Sequence, residues 1–166
     1  MKFDKSKKLL VIGRAGMDIY PEPPGTKISD VQEFSTHLGG SAANTCVALS
    51  KLGVSSDLVT CISDDAIGEY IFKKLEDFNV GSNLCRRVDK KFQTQVAVVE
   101  TILKNNQSIL YRNNSCDLQL DKEDIDKINF QDYSAVFISG TALSSSPSRE
   151  AVFYASGKAS TLSIPL

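Results

Sequence analysis

The segment Leu38-Gly39-Gly40-Ser41-Ala42-Ala43-Asn44, followed by a helical pattern that stops at Gly53, constrains this chain more than any other stretch. A Gly-Gly pair carries no Cβ, so the backbone there can approach a ligand or another strand closely. The helix that begins just after it presents free N–H groups and a positive dipole end, which suit a hydroxyl-rich or anionic ligand. Asn44 falls on the first turn, where its amide both donates and accepts. Tight helix–strand packing produces the same pattern, and these residues alone leave both readings open.

The pattern on either side is α/β. Leu9–Ile12 reads as a short buried strand ending at Gly13, and 57–62 as a second. Ser41–Leu52 reads as a helix, and 65–78 as another, with Ile67, Ile71, Leu75 and Phe78 at helical spacing. A short strand follows near 84–88. Asp121 is placed to N-cap a short helix with Glu123 and Asp124 in its first turn, and 135–139 is a further buried strand. Ser146-Pro147 reads as the cap and first residue of a last helix. Strand–helix alternation of this kind implies a parallel sheet flanked by helices. Two stretches break it. Residues 14–37 contain Pro21, Pro23, Pro24 and Gly25, which exclude a helix and leave edge strands or extended loop. Residues 93–112 turn roughly period-two around Lys104-Asn105-Asn106-Gln107, an antiparallel hairpin.

A length of 166 residues makes one core the default. A net charge of −1 supplies no basic excess for neutralising phosphates, which argues against nucleic acid as a partner. The longest early apolar run, Leu9-Leu10-Val11-Ile12, is too short for a membrane span or a signal segment, so the chain reads as cytoplasmic with no membrane partner. Cys46, Cys61, Cys85 and Cys116 are widely spread, and His37 is the only histidine; no metal site is expected, and free thiols in a reducing compartment are the reading. A Cys–His catalytic pair has nothing beyond base rate behind it. The adjacent carboxylates Asp64 and Asp65 read as caps rather than a metal pair. The turn Gly13-Arg14-Ala15-Gly16 lacks the full dinucleotide-binding spacing.

The chemistry-bearing candidates are few. Asp18 follows the first strand by a few residues, and a carboxylate can accept two sugar hydroxyls at once. Arg112 ends the hairpin and can grip a carboxylate with two prongs, which a neutral sugar does not need; Arg14 is a second candidate for that task. Tyr111 either stacks on a ligand or packs the hairpin. The bland alternatives are a turn Asp and solvated Arg side chains.

Four stretches taken together, Gly-Arg-Ala-Gly-Met-Asp-Ile-Tyr (13–20), the Gly-Gly to Gly53 segment, Tyr-Arg-Asn-Asn-Ser-Cys-Asp (111–117) and Ser-Gly-Thr-Ala-Leu-Ser (139–144), resemble the N-terminal half of the ribokinase-like (PfkB) carbohydrate kinases. The similarity is greatest to the branch that phosphorylates 5-dehydro-2-deoxygluconate. Cys46 stands where that family usually has Ser, Thr or Ala, and Ser63 where it usually has Gly. The resemblance implies a partial ribokinase-like fold over 1–154, with 14–37 and 93–112 forming a small β lid. It also implies substrate contacts from Arg14, Asp18, Gly39, Gly40, Asn44, Tyr111 and Arg112, and a homodimer formed through the lid. Family members are much longer, and their second half carries a Gly-Ala-Gly-Asp motif with the catalytic Asp and an anion hole. No such motif occurs here, so no catalytic residue and no bound cofactor is expected in this chain, whereas ATP and Mg²⁺ are expected for the full-length family. The function implied is the sugar-binding half of an ATP-dependent sugar-acid kinase. The alternatives are a non-catalytic remnant that binds a sugar acid weakly or only folds and oligomerises, and specificity of the 2-dehydro-3-deoxygluconate kinase or ribokinase type.

The tail departs from the family pattern. Ser156-Gly157 is expected to interrupt the last helix, and the small polar residues of 155–166 are expected to form no core strand and to be foreign to the family.

Overall fold

The computed structural model describes residue 4 and residues 6–166. Its centre is a four-stranded, all-parallel sheet in the order β5-β4-β1-β8, with β1 Lys8–Ile12, β4 Ser56–Ser63, β5 Cys85–Val88 and β8 Tyr133–Ile138. Both faces of the central strands β1 and β4 are covered, which is why Leu9-Leu10-Val11-Ile12 reads as an unbroken apolar run rather than an alternating one. Leu10, Ile12, Val59 and Cys61 point to one side and meet α3 (Lys122–Asp126) and α4 (Ser148–Thr161) through Ile125, Ala151, Val152, Ala155 and Ala159. Val11, Leu58 and Ile62 point to the other and meet α1 (Ser41–Lys51) and α2 (Ala66–Asp77) through Ala42, Ala43, Cys46, Ile71 and Leu75.

A second sheet stands apart from the first, in the order β3-β2-β6-β7: β2 Gly16–Glu22, β3 Glu33–Gly39, β6 Val96–Val99 and β7 Ser108–Tyr111. The two stretches that break the strand–helix alternation thus pair with each other, β2 antiparallel to β3 and parallel to β6, with β6–β7 as the hairpin. The proline-rich turn is held to the hairpin by Glu100, buried to 7% exposure, whose carboxylate accepts from the Ile28 and Gln107 amides, each at 2.9 Å. Met17 and Leu38 on one face of this lid join the apolar cluster of α1 and α2.

The caps show the local logic. Asp65 accepts from the Gly68 amide and from the Ser63 hydroxyl, which explains the acidic pair as a helix start. Asp121 and Asp124 form a reciprocal capping box on α3.

Two expectations need correction. Ser146 does not cap α4: the residue before the helix is Pro147, and the Ser146 hydroxyl instead donates to Glu150. Ser156-Gly157 does not interrupt α4, which runs on to Thr161. Ser148, Ala151, Val152, Ala155 and Ala159 form its buried stripe, and small residues let it lie close to the sheet. Gly157 is outside that stripe, with no atom within 4 Å of where a Cβ would stand, and the Ser156 hydroxyl is satisfied by the Val152 carbonyl. Beyond the helix, 162–166 form no strand, but Ile164 packs on the core and the Pro165 carbonyl accepts from Val136 on the outer side of β8 at 2.8 Å.

Candidate functional site

The two glycines come to lie where lid and body meet. Gly40 has φ +94, a backbone state that L side chains rarely adopt, and a Cβ there would run into the Arg14 carbonyl and come within 2.8 Å of Ala15 Cα. This close approach brings Arg14 to the start of α1, where its carbonyl accepts from the Ala43 amide at 3.2 Å. Asn44, on the first turn, is exposed, and its backbone N–H donates to the Gly40 carbonyl at 2.9 Å. Gly39 pairs directly with Gly16 across β2 and β3. With no Cβ on either, the space is filled by neighbours: the Asp18 carboxylate lies over Gly39, and the Gln95 carboxamide lies over Gly16.

Strand register decides which candidates share a face. Asp18 is opposite His37 on one side and Ala97 on the other, and Ala97 is opposite Leu110. Alternation puts Gly16, Gly39, Gln95 and, one step past the end of β7, Arg112 on that same face. Tyr111 belongs to the alternate row with Val96, Met17 and Leu38, is 59% exposed, and is not brought together with Asp18 and Arg112. Its place in sequence next to Arg112 puts it on the opposite face.

Arg112 crosses from lid to body. Nη2 donates to Asp117 Oδ2 at 2.6 Å and to the Thr141 carbonyl at 3.0 Å, and Nη1 to the Ser144 hydroxyl at 3.3 Å. Asp117 is buried and also accepts from the Ser115 hydroxyl. Arg14 is half-buried; burial, and then the nearby positive charge of Arg112, lower its pKa from the usual guanidinium value. Burial raises the Asp18 carboxyl from its ordinary value, and Arg14 opposes that shift. The Nε atoms of both arginines are buried without a hydrogen-bond partner. Two guanidinium groups, the carboxylates of Asp18 and Asp117, the latter paired with Arg112, and a glycine-lined approach to a helix N-terminus are therefore set around one corner of the fold. Such a set can hold an anionic group at the arginines and hydroxyls at Asp18.

Sequence reasoning passed over Asp117, Ser139 and Gln95. Asp117 closes the stretch Tyr-Arg-Asn-Asn-Ser-Cys-Asp (111–117), and its spacing from Arg112 is the available signal. The Ser139 hydroxyl meets that of Ser41 at 2.6 Å and that of Thr141 at 2.9 Å, joining α1 to the turn after β8. No sequence signal marks that contact. Burial pushes the Cys46 and Cys116 thiols up to about 11 and raises Cys61 and Cys85 as well, which disfavours the thiolate at each. Among the described residues, no three of His, Cys, Asp and Glu come together as a cation set. Among the described residues, no helix is long and apolar enough to cross a membrane.

A separate parallel sheet and β lid joined at a Gly-Gly helix start define a ribokinase-type sugar kinase fold. Residues 6–159 match the pfkB family of carbohydrate kinases, and the chain belongs to that family. It is 35% identical over 152 residues to a 5-dehydro-2-deoxygluconokinase of Photobacterium profundum, a match covering 92% of this chain and 46% of that protein. An uncharacterized sugar kinase from Pyrococcus horikoshii, solved in complex with ATP, superposes with a TM-score of 0.78 at 28% identity, over 91% of this chain and 49% of that one. The 2-dehydro-3-deoxygluconokinase of Thermotoga maritima shares the fold, with a TM-score of 0.83 at 20% identity, over 95% of this chain and 49% of its own. The chain spans about half the length of the curated relatives it matches.

Proposed function

We propose that this chain is the substrate-holding part of an ATP-dependent sugar-acid kinase, with 5-dehydro-2-deoxygluconate as the acid. The observation that carries the reading is the place of Arg14 at the Gly39-Gly40 corner, near Asp18 on one side and Arg112 on the other. Paired guanidinium groups select a carboxylate, and an Asp that is costly to bury is retained where hydroxyls will hydrogen-bond to it. Arg14, Arg112, Asp18 and Asn44 bind and orient the sugar acid. ATP would supply the phosphoryl group, and transfer depends on positioning and charge neutralisation. Titration calorimetry of this chain tests the reading. It should bind 5-dehydro-2-deoxygluconate and bind more weakly the same sugar with its carboxylate reduced to an alcohol; equal affinity for the two would refute a carboxylate site.

The chain by itself is proposed to turn over no ATP, since no general base has been assigned within it; a coupled ADP assay checks this. The lid is proposed to pair two copies in the cytoplasm. Its outer strand β7 exposes Ile109, Leu110 and Tyr111, an apolar edge that a second lid would cover. Light scattering at increasing concentration should show a dimer.

A further inference from the structure

Gln95 is 2% exposed, yet neither its Nε2 nor its Oε1 has a hydrogen-bond partner. Buried amides are almost always paired, and an unpaired one is a cost to the fold that needs a reason. Its backbone is not the reason. The Gln95 carbonyl accepts from Met17 at 3.1 Å, and the flanking Thr94 is anchored by its hydroxyl to Ser63 at 2.6 Å, so any side chain could occupy the position without loss of these bonds. Space filling is not a reason for a carboxamide either, because Leu or Met would cover the bare face of Gly16 with no polar atoms to desolvate.

The position of Gln95 does supply a reason. Continued one residue beyond β6 and β7, the register of the four lid strands gives the row Gly39, Gly16, Gln95, Arg112, with the Asp18 carboxylate leaning over Gly39 at one end and Arg112 at the other. Gln95 stands between the group that takes hydroxyls and the group that takes a carboxylate. Arg112 Nε, its neighbour in the row, is likewise buried and unpaired. A polyhydroxy acid spanning the row would present oxygens of both kinds, carbonyl and hydroxyl, to a side chain that can donate and accept together.

We propose that Gln95 is a specificity-determining residue of this site, its carboxamide reading the oxygen functions of a sugar acid between the carboxylate held at Arg112 and the hydroxyls held at Asp18. The inference rests on the sugar-acid reading of the site.

Three variants of the full chain test it, Gln95→Leu, Gln95→Met and Gln95→Glu, by calorimetric titration with 5-dehydro-2-deoxygluconate and by thermal melting. The apolar variants should lose about tenfold or more in affinity while melting no lower than the parent, since they remove two unpaired buried atoms. Gln95→Glu should also lose affinity for the acid, through repulsion of its carboxylate, while still binding the reduced, uncharged sugar. Parent-like affinity in the apolar variants, or retained acid affinity in Gln95→Glu, overturns the role of Gln95 and leaves the site reading intact. Lower melting in both apolar variants marks Gln95 as a structural wedge and also overturns the proposal. If the parent chain binds no acid, the site reading fails and this inference falls with it.

Discussion

Arg112, at the end of the lid hairpin, and Asp117, in the turn that packs against β4, are joined at 2.6 Å, and this ion pair ties the lid to the body. Their separation in sequence is small, but the two sit on different sheets' territory, and the guanidinium continues to Thr141 after β8. One side chain thereby bridges the lid to two separate turns of the body.

Replacing Arg112 with Lys should expose that role. A point-charge ammonium cannot serve Asp117, Thr141 and Ser144 in the same forked geometry. Affinity for 5-dehydro-2-deoxygluconate should fall by roughly 10- to 100-fold, corresponding to about 1.5–3 kcal/mol for hydrogen bonds to charged groups. Calorimetric affinities of parent and Arg112→Lys give the comparison.

Asp18 should trade stability for binding. Burial raises its folded pKa, so its ionised form costs stability once pH exceeds the unfolded value near 3.9. Asp18→Asn should therefore melt higher than the parent at pH 7. That advantage should shrink as pH falls below about 4, where the parent carboxyl is protonated in both states. Sugar-acid binding should be lost in the same variant. Melting curves across pH 3–8 check the sign.

Asp124 works in the opposite direction. Burial pushes its carboxyl up, but the Arg86 hydrogen bonds at 2.7 and 2.8 Å and the Asp121 amide outweigh that and hold it below its ordinary value. Its stabilisation is present above the unfolded pKa of about 3.9 and disappears as pH falls through the lowered folded one. Asp124→Ala leaves Arg86, a third exposed, with only Asp121 and the Gln119 carbonyl, and should cost about 1.5–2 kcal/mol at pH 7 in urea denaturation, with a smaller difference at pH 3.

Gly157 offers the simplest stabilising change. It is inside α4, with open space where a Cβ would go and no positive φ. Gly157→Ala should raise stability by about 0.5–1 kcal/mol through the unfolded state's lost freedom. An unchanged urea midpoint would mean that the helix is frayed at this turn.

How far the chain could be read in advance depended on how local the physics was. Leu9–Ile12, the 65–78 periodicity and the Asp121 cap carry their structure in neighbouring residues, and each element forms close to where its pattern places it. Gly39-Gly40 likewise announces a close approach, because only absent Cβ atoms permit one. The alanines of 155–159 were misleading in isolation: small side chains look unfit for a core until a helix is seen lying close against a sheet. Which face Tyr111 and Arg112 take, and that Gln95 ends unpaired between Asp18 and Arg112, depend on the register of four strands drawn from 16–22, 33–39, 96–99 and 108–111. A shift of one residue would reverse every face. Backbone propensity and small-residue spacing are local and so belong to the sequence. The pairing partners that aim those side chains are distant along the chain, and only the folded sheet selects them.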